Sequence, residues 1–371
     1  MTGTGTGTTG TDVRGGNVTG VETTAARRGG DGAAPVATMA AIVQREFGES
    51  DVLRIERVPV PEPGEGEVRI RVRAAGVHAV DLDIRRDAAP PSMPRPVLPM
   101  TPGREVAGIV DAVGAGVDAD LLGARVVAHV GFRSGGYAQF ALAAAAALHP
   151  VPAHVPFPQA VAAIGSGRTA QLVWQAAQIG ADDVVLVTGA SGGLGSQVAQ
   201  LALSVGATVV ALHGGEAKRA VVAQLGRRVE HSAARLLPLD ATDDAWPDRL
   251  TGLLDGAVPT VLLDGVGGPT GRAALESLGR GSRVVIIGWS SGELLRVDGD
   301  DIVQNSLTVT VPLGRAIADL RALETAALAA VADGRVDPPA DVFRLIDAAA
   351  AHDAIQHRRQ RGKVVLVPDA E

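Results

Sequence analysis

The segment Val184–Gly195 constrains this chain more than any other. A short continuous apolar run, Val184–Val187, passes directly into Thr188-Gly189-Ala190-Ser191-Gly192-Gly193-Leu194-Gly195, and an amphipathic pattern follows over Gly195–Val205. An uninterrupted apolar tetrad suits a strand covered on both faces, as in a parallel sheet. The glycines let the backbone turn sharply, and the next helix offers free N–H groups and the positive end of its dipole. Strand, glycine turn and helix in that order suit the pyrophosphate of a dinucleotide. A purely structural strand–helix turn is the competing reading. It loses weight because the alternation continues: strand Thr208–Leu212, helix Glu216–Leu225, strand Thr260–Leu263, helix Gly271–Leu278 and strand Arg283–Ile287. Such a series builds a doubly wound α/β sheet.

The rest of the chain must be something else. At 371 residues it is long for one domain. Residues 1–38 are rich in Gly and Thr, carry almost no large apolar side chains and read as a disordered tail; Met39 is a candidate translation start. From Ala40 short strands separated by Gly/Pro punctuation, with alternation at Val68–Arg73, suggest a β-barrel-like domain. Ala160–Gly180 reads as one long Ala-rich helix. After Asp301 come a strand (Ser306–Val311), helices at Ile317–Asp333 and Ala348–Arg358, and a closing strand, Lys363–Val367.

Composition removes several chemistries. With no cysteine there is no disulfide framework, no Cys-held zinc or iron–sulfur cluster and no thiol nucleophile. A net charge of -7 gives no general attraction to nucleic acid. No apolar stretch reaches the roughly 18 residues of a membrane span, and the N-terminus lacks the apolar core of a secretory signal; the expectation is a cytoplasmic protein. With 2% aromatic residues, the core must be aliphatic.

The second strand of the parallel unit informs on the dinucleotide. It ends Ala211-Leu212-His213-Gly214-Gly215 without the acid that usually binds the ribose hydroxyls of NAD. Lys218 and Arg219 follow on the next helix, and a cationic pocket there suits a 2′-phosphate, favouring NADPH. Lys218 and Lys363 are the only lysines, so a plain solvated lysine at 218 is the weaker reading.

Thr188–Gly195 also fits the glycine turn of short-chain dehydrogenases, but their catalytic Tyr-x-x-x-Lys is absent: the sole tyrosine is Tyr137, with Ala141 four residues on. From Met39 onward the chain instead resembles the medium-chain dehydrogenase/reductase superfamily, in its zinc-free quinone oxidoreductase branch. The matching segments are Ala75–Asp81, Pro102-Gly103-Arg104-Glu105-Val106-Ala107-Gly108, Val110–Val117, Gly135-Gly136-Tyr137-Ala138 and Thr169-Ala170. They continue with the glycine turn, Asp264-Gly265-Val266-Gly267-Gly268, and Arg358 to Gly362-Lys363-Val364-Val365, all in family order. The resemblance implies an α/β protein with a GroES-like catalytic domain (residues 39–164, completed by 302–371) and an inserted Rossmann domain (165–301). It places Lys363 in the terminal strand as a structural residue.

Zinc-dependent relatives hold their ion with a Cys, a Gly-His-Glu histidine and a later Cys or acid. Here the first two positions read His78 and Arg104, and a guanidinium cannot ligate zinc. The expectation is no metal. Without a Lewis acid, hydride addition to an activated acceptor is easier than alcohol oxidation. The resemblance thus implies NADPH-dependent reduction of quinones or α,β-unsaturated carbonyls. An enoyl reductase acting on carrier- or CoA-bound intermediates is a second reading, and an NADPH-binding protein without turnover a third.

The resemblance also distributes roles. His78 faces the nicotinamide and substrate where relatives carry Asn, either as hydrogen-bond or proton donor or simply filling that niche. Arg85 and Arg86 replace tyrosines that line the substrate site, and Trp289 either walls the cleft or packs between domains. Cofactor contacts fall on Thr169, Gly189, Gly192, Gly193, Leu194, Gly195, His213, Gly214, Lys218, Val266, Gly267, Gly288, Trp289, Ser290 and Arg358, with His231 near a phosphate-contacting tyrosine position. A homodimer is implied, with Ser306–Leu313 as the pairing edge.

Overall fold

The structure, a computed structural model, describes residues 37–369 except 92, 228–230 and 314–318. The tail expectation therefore lies outside the described residues up to 36, while Thr38 already opens a strand. β1 (Thr38–Gln44) pairs antiparallel with β2 (Leu53–Pro59). β3 (Glu67–Gly76) runs into α1 (Ala79–Arg85), followed by β4 (Glu105–Val113), β5 (Arg125–His129), β6 (Phe140–Ala144) and β7 (Leu148–Pro150). α2 (Phe157–Ala162) and α3 (Arg168–Ala177) lead to the parallel unit. That unit comprises β8 (Val184–Val187), α4 (Gly195–Ser204), β9 (Thr208–His213), α5 (Glu216–Gln224), β10 (Arg235–Asp240), α6 (Trp246–Leu253), β11 (Val261–Asp264), α7 (Gly268–Glu276), β12 (Arg283–Ile286), α8 (Gly299–Asn305) and β13 (Thr308–Thr310). α9 (Leu320–Ala332), β14 (Ala340–Arg344), α10 (Ala348–Gln356) and β15 (Lys363–Val367) close the chain.

The parallel sheet has the order β10-β9-β8-β11-β12-β13. Its direction of progress reverses between β8 and β11, the switch point beside which such sheets bind ligands at their carboxyl ends. The four residues of β8 are apolar because helices cover both faces; Val185, Leu186 and Val187 are wholly buried. The other large sheet has the order β14-β15-β3-β4-β5-β7, with β6 also on β3. The C-terminal strand β15 thus returns to pair with β3, far away in sequence. The GroES-like and Rossmann architectures expected from sequence are both present.

Three local details refine the expectations. The helix expected over Ala160–Gly180 is present from Phe157 to Ala177, with a π-helical turn inside it. A π-helical turn at Ala163–Gly167 separates α2 from α3, and Gln178 ends α3 in the left-handed conformation. Such π-turns insert an extra residue and often occur at functional sites. β10 and α6 escaped the sequence reading, because Pro238 inside the run argues against a central strand; β10 is an edge strand, where proline is tolerated. α9 begins at Leu320, and the first residues of the expected helix there lie outside the described residues.

Candidate active site

The end of β3, the start of β4, the π-turn and the start of β15 meet at one buried polar cluster. His78 is the residue before α1, and its backbone N–H donates to the Asp81 carboxylate at 2.8 Å, a charge at a helix N-terminus. The His78 imidazole Nε2 lies 2.5 Å from Glu105 Oε2 and 2.6 Å from Lys363 Nζ. Lys363 Nζ lies 3.4 Å from the same Glu105 oxygen. Glu105 and Lys363 are fully enclosed, whereas 21% of the His78 side chain remains exposed, so the imidazole separates the buried pair from solvent. Burial pushes the Glu105 carboxyl up, but His78 and Lys363 outweigh it and hold it well below the usual carboxylate range. Burial pulls the Lys363 ammonium down, against the opposing charges of Glu105 and Asp81.

The π-turn brings Gly165 against this cluster, and a methyl group there would overlap both Glu105 oxygens. A second layer supports it from behind. Arg104 Nε reaches Asp81 Oδ1 at 3.3 Å, and the Tyr137 hydroxyl donates to Asp81 Oδ2 at 3.1 Å. Tyr137 itself faces His352 Nε2 at 3.3 Å. Burial, then Asp81, pushes the Tyr137 phenol well up, and burial pulls His352 down to about 4. On the other flank, His129 Nδ1 accepts from Gly131 N–H at 3.1 Å, and its Nε2 faces Arg168 Nη2 at 3.2 Å. Burial, then Arg168, lowers His129 to about 4.

The glycine turn adjoins this cluster through Lys363. Gly192 and Gly362 form an isolated parallel bridge. A Cβ on Gly193 would sit 3.1 Å from Ser166 Oγ and 3.4 Å from Lys363 Cα. Lys363 therefore leaves the backbone against the turn and ends on His78. Around the turn, Gly189 has φ +66°. Gly195 opens α4 so close to the Gly189 carbonyl that a side chain would overlap it. The buried Asp264 at the end of β11 takes 2.6 Å from Thr188 Oγ1 and accepts from the Gly267 N–H, fixing the two strand ends at the switch point.

Several of the expected cofactor residues lie at the carboxyl ends of the parallel strands. Val266 borders Gly189, Ser290 N–H donates to the Gly265 carbonyl, and Gly288 packs on Gly265. Trp289 is 57% exposed at the same strand end. Thr169 lies in the first turn of α3. His213 is buried with Nδ1 3.1 Å from the Gly215 carbonyl, and Gly214 is open. Lys218 on α5 makes no ion pair among the described residues and feels the charge of Arg358, which, with burial the larger cause, lowers it. Arg358 donates from Nη2 to the Ser291 carbonyl at 3.0 Å. Two cations thus come together, neither ion-paired among the described residues, beside a second strand without an acid of its own; Asp240 of the neighbouring β10 is taken up by the Gly215 N–H at 3.0 Å.

Two expectations fail here. Arg85 does not line a substrate mouth: it is 1% exposed, with Nε on the Gly48 carbonyl at 3.1 Å and Nη2 on Gln356 at 3.1 Å. Arg86 is only half-buried, but its Nε sits 3.5 Å from the same Glu49 that Arg85 approaches. Arg85 ties α1 to α10 and the first hairpin, and Arg86 ties the end of α1 to that hairpin. His231 packs on Gly206, just before β9, at the opposite end of the sheet from the glycine turn, so it cannot touch phosphates bound there. Conversely, Glu105 is not among the residues expected at the site, and Lys363 is expected there only as a structural residue. The available signal was an acid and a lysine at the starts of otherwise apolar strands, the lysine one of only two.

Residues 64–153 match the alcohol dehydrogenase GroES-like domain, and residues 193–330 the zinc-binding dehydrogenase domain. The quinone oxidoreductase of Sus scrofa is 33% identical over 335 residues, covering 89% of this chain and 98% of that protein. The chain belongs to the medium-chain dehydrogenase/reductase family. Within it, the quinone oxidoreductase-like branch is its place, and it is an oxidoreductase. The Escherichia coli quinone oxidoreductase solved with NADPH superposes with a TM-score of 0.72 at 28% identity, covering 89% of this chain and 100% of that one. An NAD-dependent alcohol dehydrogenase superposes with a TM-score of 0.77 at 29% identity, over 89% and 99%.

Zinc, which the second domain's description implies, does not fit the residues of this medium-chain dehydrogenase/reductase. Arg104 is a cation bonded to Asp81, and the His78 nitrogen that would face a metal is gripped by the Lys363 amine. Among the described residues no three His, Asp or Glu gather as a ligand set. No helix among them is long and apolar enough to cross a membrane.

Proposed function

We propose that the protein is an NADPH-dependent, zinc-independent reductase that passes hydride to a quinone or an α,β-unsaturated carbonyl compound. One observation carries this reading. The partly exposed imidazole His78 stands near the glycine turn, backed by Lys363 and Glu105, where a metal would otherwise be expected. That arrangement provides proton donation but no Lewis acid, and suits an acceptor already electron-poor enough to take hydride. The convergence of Lys218 and Arg358 supports the 2′-phosphate form of the cofactor. When bound, NADPH supplies the hydride. Gly189–Gly195 would hold its pyrophosphate, Thr169, Val266 and Gly267 its nicotinamide end, and His213, Gly214 and Lys218 its adenosine end. Trp289, exposed beyond the end of β12, would cover the acceptor.

The test is NADPH oxidation by purified protein, treated with chelator and checked for metal content, across a panel of quinones, enals, enones and enoyl thioesters. Turnover of free quinones or enones without metal is the expected result. Turnover of thioesters alone would replace this reading with a carrier-bound enoyl reductase. NADPH binding without turnover of any acceptor would reject it.

We also infer a cytoplasmic homodimer paired along β13. That strand is the outer member of the parallel sheet, and Val303, Val311 and Leu313 are exposed beside it. Light scattering should give twice the chain mass, and Val303→Lys should lower it to that of one chain.

A further inference from the structure

The His78 Nε2 atom has one in-plane hydrogen-bonding position, yet two groups compete for it. A carboxylate oxygen can only accept there, and an ammonium can only donate. If Nε2 carries hydrogen, it donates to Glu105 and Lys363 must relinquish its own claim. If Nε2 is bare, it accepts from Lys363 and faces the carboxylate with a lone pair. Both contacts are short, 2.5 Å and 2.6 Å, so neither partner can be set aside. Glu105 has a further enclosed oxygen, Oε1, with no hydrogen-bond partner. The surroundings are tight: a Cβ on Gly165 would overlap the carboxylate, and one on Gly193 would touch the lysine backbone.

We propose that Lys363 and His78 exchange one mobile proton beside the Glu105 carboxylate and form a relay that recharges the imidazole from its buried side. This rests on the reductase reading for its chemical use, and on the geometry alone for the sharing. His78, at the mouth of the cluster, is the donor; Lys363 and Glu105 are positioning residues that act through it. Reduction of a quinone or enone takes a hydride and one proton. The hydride brings both electrons and forms the new C–H bond (or the new bond on the quinone ring system), leaving negative charge on the acceptor oxygen. With Nε2 bare and accepting from Lys363, the imidazole carries its hydrogen on Nδ1; that N–H bond breaks as the O–H bond forms, while a Lys363 N–H bond breaks and the Nε2–H bond forms. Between turnovers water, which reaches the imidazole but not the enclosed lysine, reprotonates Nδ1, and the Nε2 proton passes back to Lys363. Glu105 keeps its negative charge throughout and holds both partners in place.

The charged and titratable groups around the relay come from every packed element. They are Asp81 on α1, Arg104 just before β4, His129 on β5 and Arg168 on α3, with Tyr137 and His352 behind Asp81. Asp81 is neutralised by Arg104, while His129 and His352, both lowered to about 4, stay uncharged near neutrality. Lys363 is therefore the cation left to exchange its proton with His78.

The proton sharing can be read without any acceptor. In protein labelled with nitrogen-15 at histidine, His78 is assigned by its loss in His78→Asn. Its Nε2 shift is then followed in the wild type, Lys363→Met and Glu105→Gln. The expected wild-type shift lies between those of a bare and a hydrogen-bearing nitrogen. Lys363→Met should move it to the hydrogen-bearing value, and Glu105→Gln toward the bare one. An identical shift in all three proteins would overturn the proposal. In turnover, Lys363→Met should lower kcat about 100-fold, as for loss of a proton-transfer group, with the KM for NADPH unchanged. It should also make kcat fall with rising pH where the wild type is flat. Lys363→Arg keeps the charge beside Glu105 but cannot release a proton. It should match the methionine variant; recovery of wild-type kcat and pH profile would make the lysine purely structural and reject the relay. If the wild type reduces no acceptor, the reductase reading fails while the resonance measurement still decides the proton sharing. Should Lys363→Met not fold, Lys363→Arg and Glu105→Gln carry the same decision.

Discussion

Arg104 Nε lies 3.3 Å from Asp81 Oδ1 with both side chains more than nine-tenths buried. This pair sets the polarity of the whole site, because Asp81 also receives the His78 N–H and the Tyr137 hydroxyl. Removing one member of such a pair leaves an uncompensated charge, whereas removing both often costs little. Arg104→Ala should therefore destabilise the protein by about 3 kcal/mol, at the low end for buried pairs because two donors remain on Asp81. The double variant Arg104→Met, Asp81→Asn should recover more than half of that loss. Urea unfolding of the three proteins measures both. Equal stability of the single and double variants would show that the pair is not coupled.

Lys218 stands apart from every carboxylate among the described residues and shares its surroundings with Arg358. An ammonium held there contacts the cofactor only if a 2′-phosphate is present. A hydrogen bond to a charged group contributes about 1.5–3 kcal/mol. Lys218→Ala should raise the Kd for NADPH by about 10- to 100-fold and leave that for NADH nearly unchanged. Titrations of nicotinamide fluorescence with each dinucleotide give both numbers. A parallel loss for the two cofactors would remove the phosphate assignment.

How much of this could be read from the sequence depends on how local the cause is. The glycine turn and its flanking β8 and α4 were legible because their glycines and apolar run act within a dozen residues. Lys218 was legible because of what its neighbours lack. Glu105 and Lys363 were not, since 258 residues separate them and only the return of β15 onto β3 brings them together. Arg85 misled because its type suggests a solvated surface, while its environment is set by Glu49 and Gln356, contributed by the first hairpin and by α10. The π-turn was hidden because Ala163–Gly167 keeps an apolar texture compatible with an ordinary helix.

Gly165 provides a steric test of that π-turn. Its missing side chain is what admits the Glu105 carboxylate, which has no room to retreat from His78 and Lys363. Gly165→Ala should cost about 1–3 kcal/mol of stability, the usual range for overpacking a rigid core. It should also lower kcat, because Glu105 is displaced from His78. Gly180→Ala, at an open position after α3, is the control and should leave stability within about 0.5 kcal/mol. If both variants unfold at the same urea concentration as the wild type, the carboxylate does not occupy the space described.

His352 makes the fold sensitive to mild acid. Its ring is wholly buried, faces Tyr137 through Nε2, and has no partner for Nδ1. Burial lowers it to about 4, against about 6.5 in an unfolded chain. Between those values the unfolded chain binds the extra proton and the folded one does not. Stability is therefore complete above about pH 6.5 and declines as the pH falls toward 4, by up to about 3 kcal/mol when the folded site finally protonates. His129, lowered to the same degree, adds to the decline in the same direction. His352→Gln removes one of the two titrations. The difference in unfolding free energy between about pH 7 and about pH 5 should shrink by about 2 kcal/mol in that variant relative to the wild type. Urea unfolding at the two pH values measures it, and an unchanged difference would mean that His352 is already protonated, or solvated, in the folded protein.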